Sequence, residues 1–298
     1  MPPTVYSALI VGFPRSGTTL LRAVLDRHSA LQAVPWEPHF IPDLLTQFGL
    51  APVDRSVLLD ALSGHASMPA PLSEALPAIL PSASTLTLRA GLDAVFSHLF
   101  DGQATGVVVK VPRLVYNVPA VRALFPEAHV VHLVRDPRGA LASHLARWPG
   151  EGLWGRLQDW KAAVQAGHTW TTQHPEDALE LRFEDLLRTP EASLKQLCTF
   201  LSIPYEPTLL DVELTTMRWA RDTPANPAEV RYQGFETEKI DQWKTVLRPS
   251  EVHLIERTCQ AEMDVWNYVK ADIPASPLSV LALYTRSRLR AWYRALRS

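Results

Sequence analysis

The octet Gly12-Phe13-Pro14-Arg15-Ser16-Gly17-Thr18-Thr19 follows directly on the apolar run Ala8-Leu9-Ile10-Val11 and leads into the helical pattern Leu20-Leu21-Arg22-Ala23-Val24-Leu25. No other stretch restricts the fold as strongly. A short buried strand, a glycine loop and a helix N-terminus in that order form a cradle for an anionic phosphate. Backbone N–H groups of the loop and first helical turn point at the anion, and the helix dipole favours negative charge there. The frame G-x-x-x-x-G is that of a phosphate-binding P-loop. A nucleoside triphosphatase carries Lys and then Ser or Thr next, whereas here Thr18 stands in the lysine's place and the cation is Arg15, inside the loop. Losing that lysine argues against triphosphate hydrolysis. Arg15, Ser16, Gly17, Thr18 and Thr19 are the expected anion contacts. A plain strand-to-helix turn with no ligand is the competing reading.

Four later stretches read as further strands of a parallel α/β sheet: residues 31–34, 106–110, 130–134 and 178–183. Several end in charge. Glu37 follows the first of them, behind Pro35, and lies where a parallel sheet binds ligands, outside the carboxyl ends of its strands. It is a candidate general base, His39 is a rival, and a solvated loop carboxylate is the bland alternative. Lys110 closes the run Val107-Val108-Val109. Arg135 ends Val130-Val131-His132-Leu133-Val134, and Pro137 then fits a first helical position. Ser143 and Arg147, four residues apart, share a face of that helix. Forked arginine donors suit a doubly charged phosphomonoester. Asp136 admits another reading, as an acid that holds Mg²⁺ in a nucleotidase, weakened by Pro137 and the missing P-loop lysine.

The chain of 298 residues, 47% hydrophobic and 20% charged, suits one large α/β domain with a folded core. A net charge of −2 gives no sign of a nucleic-acid partner. Cys198 and Cys259 are too few for a zinc cluster and read as packed thiols. No basic leader and no apolar stretch of about 18 residues is present, so a cytoplasmic protein is expected. Residues 41–100 read as short helices with proline breaks, a cover for an acceptor pocket or only a structural insertion. Residues 250–269 read as one amphipathic helix. From 278 to 298 there is no acidic residue, while Arg286, Arg288, Arg290, Arg294 and Arg297 alternate with Leu, Trp and Tyr. Such a basic amphipathic helix docks on its own domain or lies on an anionic membrane or a partner.

Phe13 to Leu21 resembles the 5′-phosphosulfate loop of sulfotransferases that use 3′-phosphoadenosine-5′-phosphosulfate (PAPS). The arginine form of the loop, with Arg22 and Leu25-Asp26-x-His28 behind it, is most similar to tyrosylprotein sulfotransferases and bacterial members. Arg135 with Ser143 resembles the family's 3′-phosphate site, and tyrosylprotein sulfotransferases also carry an arginine at the position of Arg147. Glu37-Pro38-His39-Phe40 resembles the catalytic segment of heparan sulfate O-sulfotransferases. Cytosolic members usually place a catalytic histidine just beyond the strand-end lysine; here the tripeptide is Lys110-Val111-Pro112, which strengthens Glu37. Leu181-Arg182-Phe183-Glu184-Asp185-Leu186 resembles a family segment in which a tyrosine, whose hydroxyl often touches the nucleotide, stands in place of Phe183. Arg231 through Trp243, with Lys239, resembles the nucleotide-covering loop.

The resemblance covers roughly residues 5–270. It implies a single P-loop NTPase-like three-layer α/β/α fold around a central parallel sheet. It also implies a sulfotransferase that moves the sulfuryl group of PAPS to an acceptor hydroxyl and releases PAP without a metal. Glu37 would be the base and Arg15 would stabilise the leaving 5′-phosphate. Lys110 would stabilise charge on the transferring group. Arg135, Ser143, Arg147, Arg231 and Lys239 would join the loop in holding the nucleotide. A P-loop kinase or NTPase, and a non-catalytic nucleotide-binding protein of the same fold, are the alternatives.

Overall fold

The computed structural model describes residues 5–100, 106–212 and 234–295, apart from the side chains of 287 and 289–295. Its strands are β1 (Tyr6–Gly12), β2 (Gln32–Ala33), β3 (Val53–Asp54), β4 (Thr85–Leu86), β5 (Val107–Lys110), β6 (His129–Val134) and β7 (Ala178–Arg182). Five of them form one sheet in the order β2-β5-β1-β6-β7, and every pair in it is parallel. β3 and β4 make a separate antiparallel pair.

The helices are α1 (Thr18–Leu25), α2 (Phe40–Phe48), α3 (Arg55–Ser63), α4 (Ala70–Ile79), α5 (Leu88–Leu99), α6 (Val118–Leu124), α7 (Pro137–Arg147), α8 (Leu153–Gln173), α9 (Phe183–Arg188) and α10 (Pro190–Phe200). They continue as α11 (Glu238–Asp241), α12 (Trp243–Val246), α13 (Pro249–Thr258), α14 (Gln260–Val265) and α15 (Pro277–Ala295).

The unbroken apolar runs of the strands follow from burial on both faces. Leu9, Val11, Val107, Val109, Val130 and Val134 point to one side, into a core with Phe40 and Ile41 of α2, Phe96 of α5, Trp160 of α8 and Ile255 of α13. Ala8, Ile10, Val108, Val131 and Leu133 point to the other, against Leu20, Leu21 and Val24 of α1 and Leu194 and Leu197 of α10. The fold is thus the expected three-layer α/β arrangement. Cys198 and Cys259 are buried free thiols.

Several boundaries differ from the sequence reading, and three of them have a physical reason. β2 spans only Gln32–Ala33, because Val34 already leads into the proline-bounded bend that carries Glu37. β7 ends at Arg182, and Phe183 opens α9 instead of closing the strand. The helix expected over 250–269 is broken at Cys259, whose φ of −102° and ψ of 13° leave the helical range. That turn lets α14 bury Met263, and the residues just beyond it bury Trp266 and Tyr268.

α15 packs on α8 and α13. Leu283 and Tyr284 meet the core, and the Tyr284 ring stands edge-on to Trp154 at 5.2 Å. Among the described residues no helix is long and apolar enough to cross a membrane.

Candidate active site

The loop after β1 is shaped by three residues with positive φ: Gly12 at 146°, Arg15 at 74° and Gly17 at 92°. A Cβ on Gly12 would lie 2.5 Å from the Leu133 carbonyl oxygen, and one on Gly17 would lie 2.3 Å from the Phe183 ring. Both positions therefore require glycine on steric as well as conformational grounds. Gly17 caps α1 without a side-chain hydrogen bond, so the first-turn N–H groups face the loop. Ser16 is fully buried and its hydroxyl has no partner among the described residues. A buried orphan hydroxyl inside a glycine cradle suits an anion.

Beside this loop lie the ends of β2 and β5. Lys110, 3% exposed, sends its Nζ 2.7 Å to Glu37 Oε1 and donates to Thr19 Oγ1 at 3.2 Å. Glu37 is 31% exposed, and His39 Nε2 lies 3.5 Å from its other carboxylate oxygen. Burial alone would raise the Glu37 pKa. The Lys110 charge and the His39 hydrogen bond overcome that and hold it at about 2. Lys110 is pulled down by burial, with the nearby Arg22 and Arg15 charges adding to the effect against the pull of Glu37. The chain Thr19–Lys110–Glu37–His39 thus joins the cradle to a carboxylate that reaches solvent.

On the other side stand β6 and α7. Arg135, 6% exposed, donates from Nη1 to the main-chain carbonyl of Arg15 at 2.9 Å and from Nη2 to that of Lys239 at 2.8 Å. Its Nε is buried without a partner among the described residues. Its guanidinium lies 4.4 Å from the centre of the Phe183 ring, and Trp160 Nε1 donates to its carbonyl. Burial lowers its pKa to about 10, with Glu184 opposing, so it is a cation at neutral pH. Arg15 Nε donates to Ser143 Oγ at 3.1 Å. The two arginines, 120 residues apart in sequence, meet at one carbonyl.

Other expected contacts are placed less closely. Arg147 is exposed, with its guanidinium 5.5 Å from the Trp148 ring. Lys239 points its exposed ammonium at Glu236, 3.2 Å away, and only its carbonyl meets Arg135. Arg231 lies outside the described residues. Asp136, the rival metal acid, is committed elsewhere. Its carboxylate accepts from the Arg138 N–H at the start of α7 and pairs with the Arg138 guanidinium at 2.5 Å, while Arg138 also reaches Glu256 at 2.6 Å.

The sequence reading missed two supports. Phe183 was noted for the hydroxyl it lacks, yet its ring fills the space against Gly17 and lies under Arg135. Glu184 is buried, accepts from the Asp136 N–H at 3.0 Å and from the Tyr268 hydroxyl at 2.8 Å, and has its pKa raised by burial. No spacing signal links residue 184 to 268.

Residues 8–207 match the profile of the sulfotransferase family. Protein-tyrosine sulfotransferase 1 of Danio rerio is 26% identical over 210 residues, covering 68% of this chain and 55% of that protein. Protein-tyrosine sulfotransferase A of Caenorhabditis elegans is 23% identical over 240 residues, 74% of this chain and 58% of that one. The chain thus spans a little over half the length of these two relatives. The sulfotransferase domain from the curacin biosynthetic pathway superposes with a TM-score of 0.57 at 25% identity, over 87% of this chain and 97% of that one. The sulfotransferase domain of the Synechococcus PCC 7002 olefin synthase does so at 0.53 and 20%, over 97% and 95%, and speaks for the fold alone.

Proposed function

Because the chain belongs to the sulfotransferase family, we propose that it moves the sulfuryl group of PAPS to an acceptor hydroxyl. PAPS supplies an activated sulfuryl on a phosphate leaving group. Glu37 takes the proton of the acceptor hydroxyl, whose oxygen forms the new S–O bond as the bond to the 5′-phosphate oxygen breaks. Arg15, Thr18 and Thr19 stabilise the charge that gathers on the departing phosphate. Arg135 and Ser143, with Arg147 on the same helix, hold the 3′-phosphate that ATP lacks. The observation that carries this reading is the Thr19–Lys110–Glu37 chain beside the loop.

Lys110 has two roles in this scheme. While it holds Glu37 the carboxylate is a weak base. Drawn toward an incoming sulfuryl group, its ammonium stabilises charge there and leaves Glu37 more basic. Residues 41–100 cover the acceptor. Aryl, carbohydrate, lipid, peptide and small natural-product hydroxyls all fit the chemistry.

The test is a thermal-shift comparison of PAP, ADP and ATP, with and without Mg²⁺, followed by transfer assays from PAPS to a panel of hydroxyl acceptors. PAP should raise the melting temperature most, with no need of Mg²⁺. A larger Mg²⁺-dependent shift with ATP would instead favour a kinase or NTPase. PAP binding without transfer to any acceptor would favour a non-catalytic protein.

A further inference from the structure

α15 has a second face. Leu283 and Tyr284 hold it against the core, yet Leu278 is 77% exposed and Leu281 59%. Ala282, Thr285 and Arg286 are exposed on the same helix. Of the ten large apolar side chains that the described residues expose, four are Val265, Val269, Leu278 and Leu281, and the last three are the most exposed of all. The three largest apolar exposures therefore fall within residues 269–281, and contiguous apolar exposure is the pattern that marks an interaction surface.

Leu278, Leu281 and Thr285 follow one another at steps of three or four, a helical spacing offset from the inner Leu283 and Tyr284. Charge is segregated with it. Residues 278–298 hold five arginines and no acid, so they carry +5. The remaining 24 basic and 31 acidic residues give the rest of the chain −7, which sums to the net −2. The inner face is already used for docking, so the outward leucines serve no core. Arg288 donates to the Tyr284 hydroxyl at 2.9 Å, while Arg286 is exposed near the leucines. Exposed leucines on a helix with five arginines and no acid match the boundary of an anionic bilayer. The leucines enter among the acyl chains, and the arginine stems reach back to the lipid phosphates.

We propose that α15 is an interfacial helix: it lays its outward leucine stripe on an anionic phospholipid surface while its inner face keeps it attached to the domain. The inference does not depend on the enzymatic reading. It places the chain at a membrane surface.

The test is co-sedimentation of the full chain with vesicles of phosphatidylcholine alone or mixed with phosphatidylserine. The chain should sediment with the mixed vesicles only, and raised ionic strength should release it. The double variant Leu278→Asp/Leu281→Asp should lose this binding while melting at the unchanged temperature, because both side chains are exposed. The variant Arg286→Glu/Arg290→Glu should bind at least about a hundredfold more weakly. The proposal fails if the chain ignores both vesicle types or binds both equally. It also fails if the leucine variant binds as the parent does. Self-association that the leucine variant abolishes, or retention by polyglutamate in preference to vesicles, would assign the face to a second copy or an acidic protein and overturn it too.

Discussion

The two halves of the candidate site satisfy their charges in opposite ways. At the ends of β2 and β5, charge answers charge: Lys110 faces Glu37 at 2.7 Å, and His39 stands 3.5 Å from the same carboxylate. At the ends of β6 and β7, the cation is answered by neutral groups. Arg135 spends two donors on main-chain carbonyls, keeps a third without a partner among the described residues and rests on the Phe183 ring. A close ion pair offsets its own charge and attracts little, whereas a guanidinium bonded to carbonyls keeps its charge for an anion, offset only at longer range by Glu184 and Asp136. The proposed proton chemistry and the proposed nucleotide anchor are thus held apart. Arg15 sides with the anchor, with its carbonyl on Arg135 and its guanidinium on Ser143.

The sharpest way to break this contrast is to neutralise one half and ask whether the other notices. Glu37→Gln should lower kcat by about 10²–10⁴-fold, with PAP affinity unchanged by titration calorimetry. Turnover at the parent rate would remove Glu37 as the base. The reverse experiment, Arg135→Ala, should weaken PAP binding by roughly 10–100-fold, the loss of a charged hydrogen-bonding group. Arg135→Lys should not restore the affinity, since an ammonium lacks the forked donors. Unchanged affinity in a variant that still melts cooperatively would dissolve the anchor half.

The smallest effect concerns pH. Glu37 has a folded pKa of about 2, below the ordinary carboxylate value of about 4.3. Its ionised form therefore contributes stability that is fully present above the ordinary value and is lost as pH falls through 4 toward 2. Lys110 is protonated in both states across that window and adds no slope. In Lys110→Met the main force lowering the Glu37 pKa is gone while its burial persists. The acid limb of melting temperature against pH should flatten between those values. An acid limb identical to the parent's would show that Lys110 does not hold Glu37 down.

Much of this was legible in the chain. The order strand, glycine loop, helix is local, so Gly12 to Thr19 could be read off directly, as could Arg135 at the end of an apolar strand and Pro137 at the start of α7. Boundaries set by packing were less legible. Cys259 breaks a good helical pattern because Met263 and Trp266 are drawn inward. Phe183 looked like a lost hydroxyl, and only its position against Gly17 gives the ring its use.

By itself the sequence determined the cradle, the parallel sheet and the candidates on either side of it, because periodicity and loop chemistry act between near neighbours. Tertiary structure decided which of them touch. Lys110 meets Glu37 only because β2 and β5 lie side by side. Arg15 meets Arg135 because β1 and β6 do, with Gly12 opposite Leu133. Strand order is settled by the burial of both sheet faces at once, a property of the whole chain that no single stretch carries.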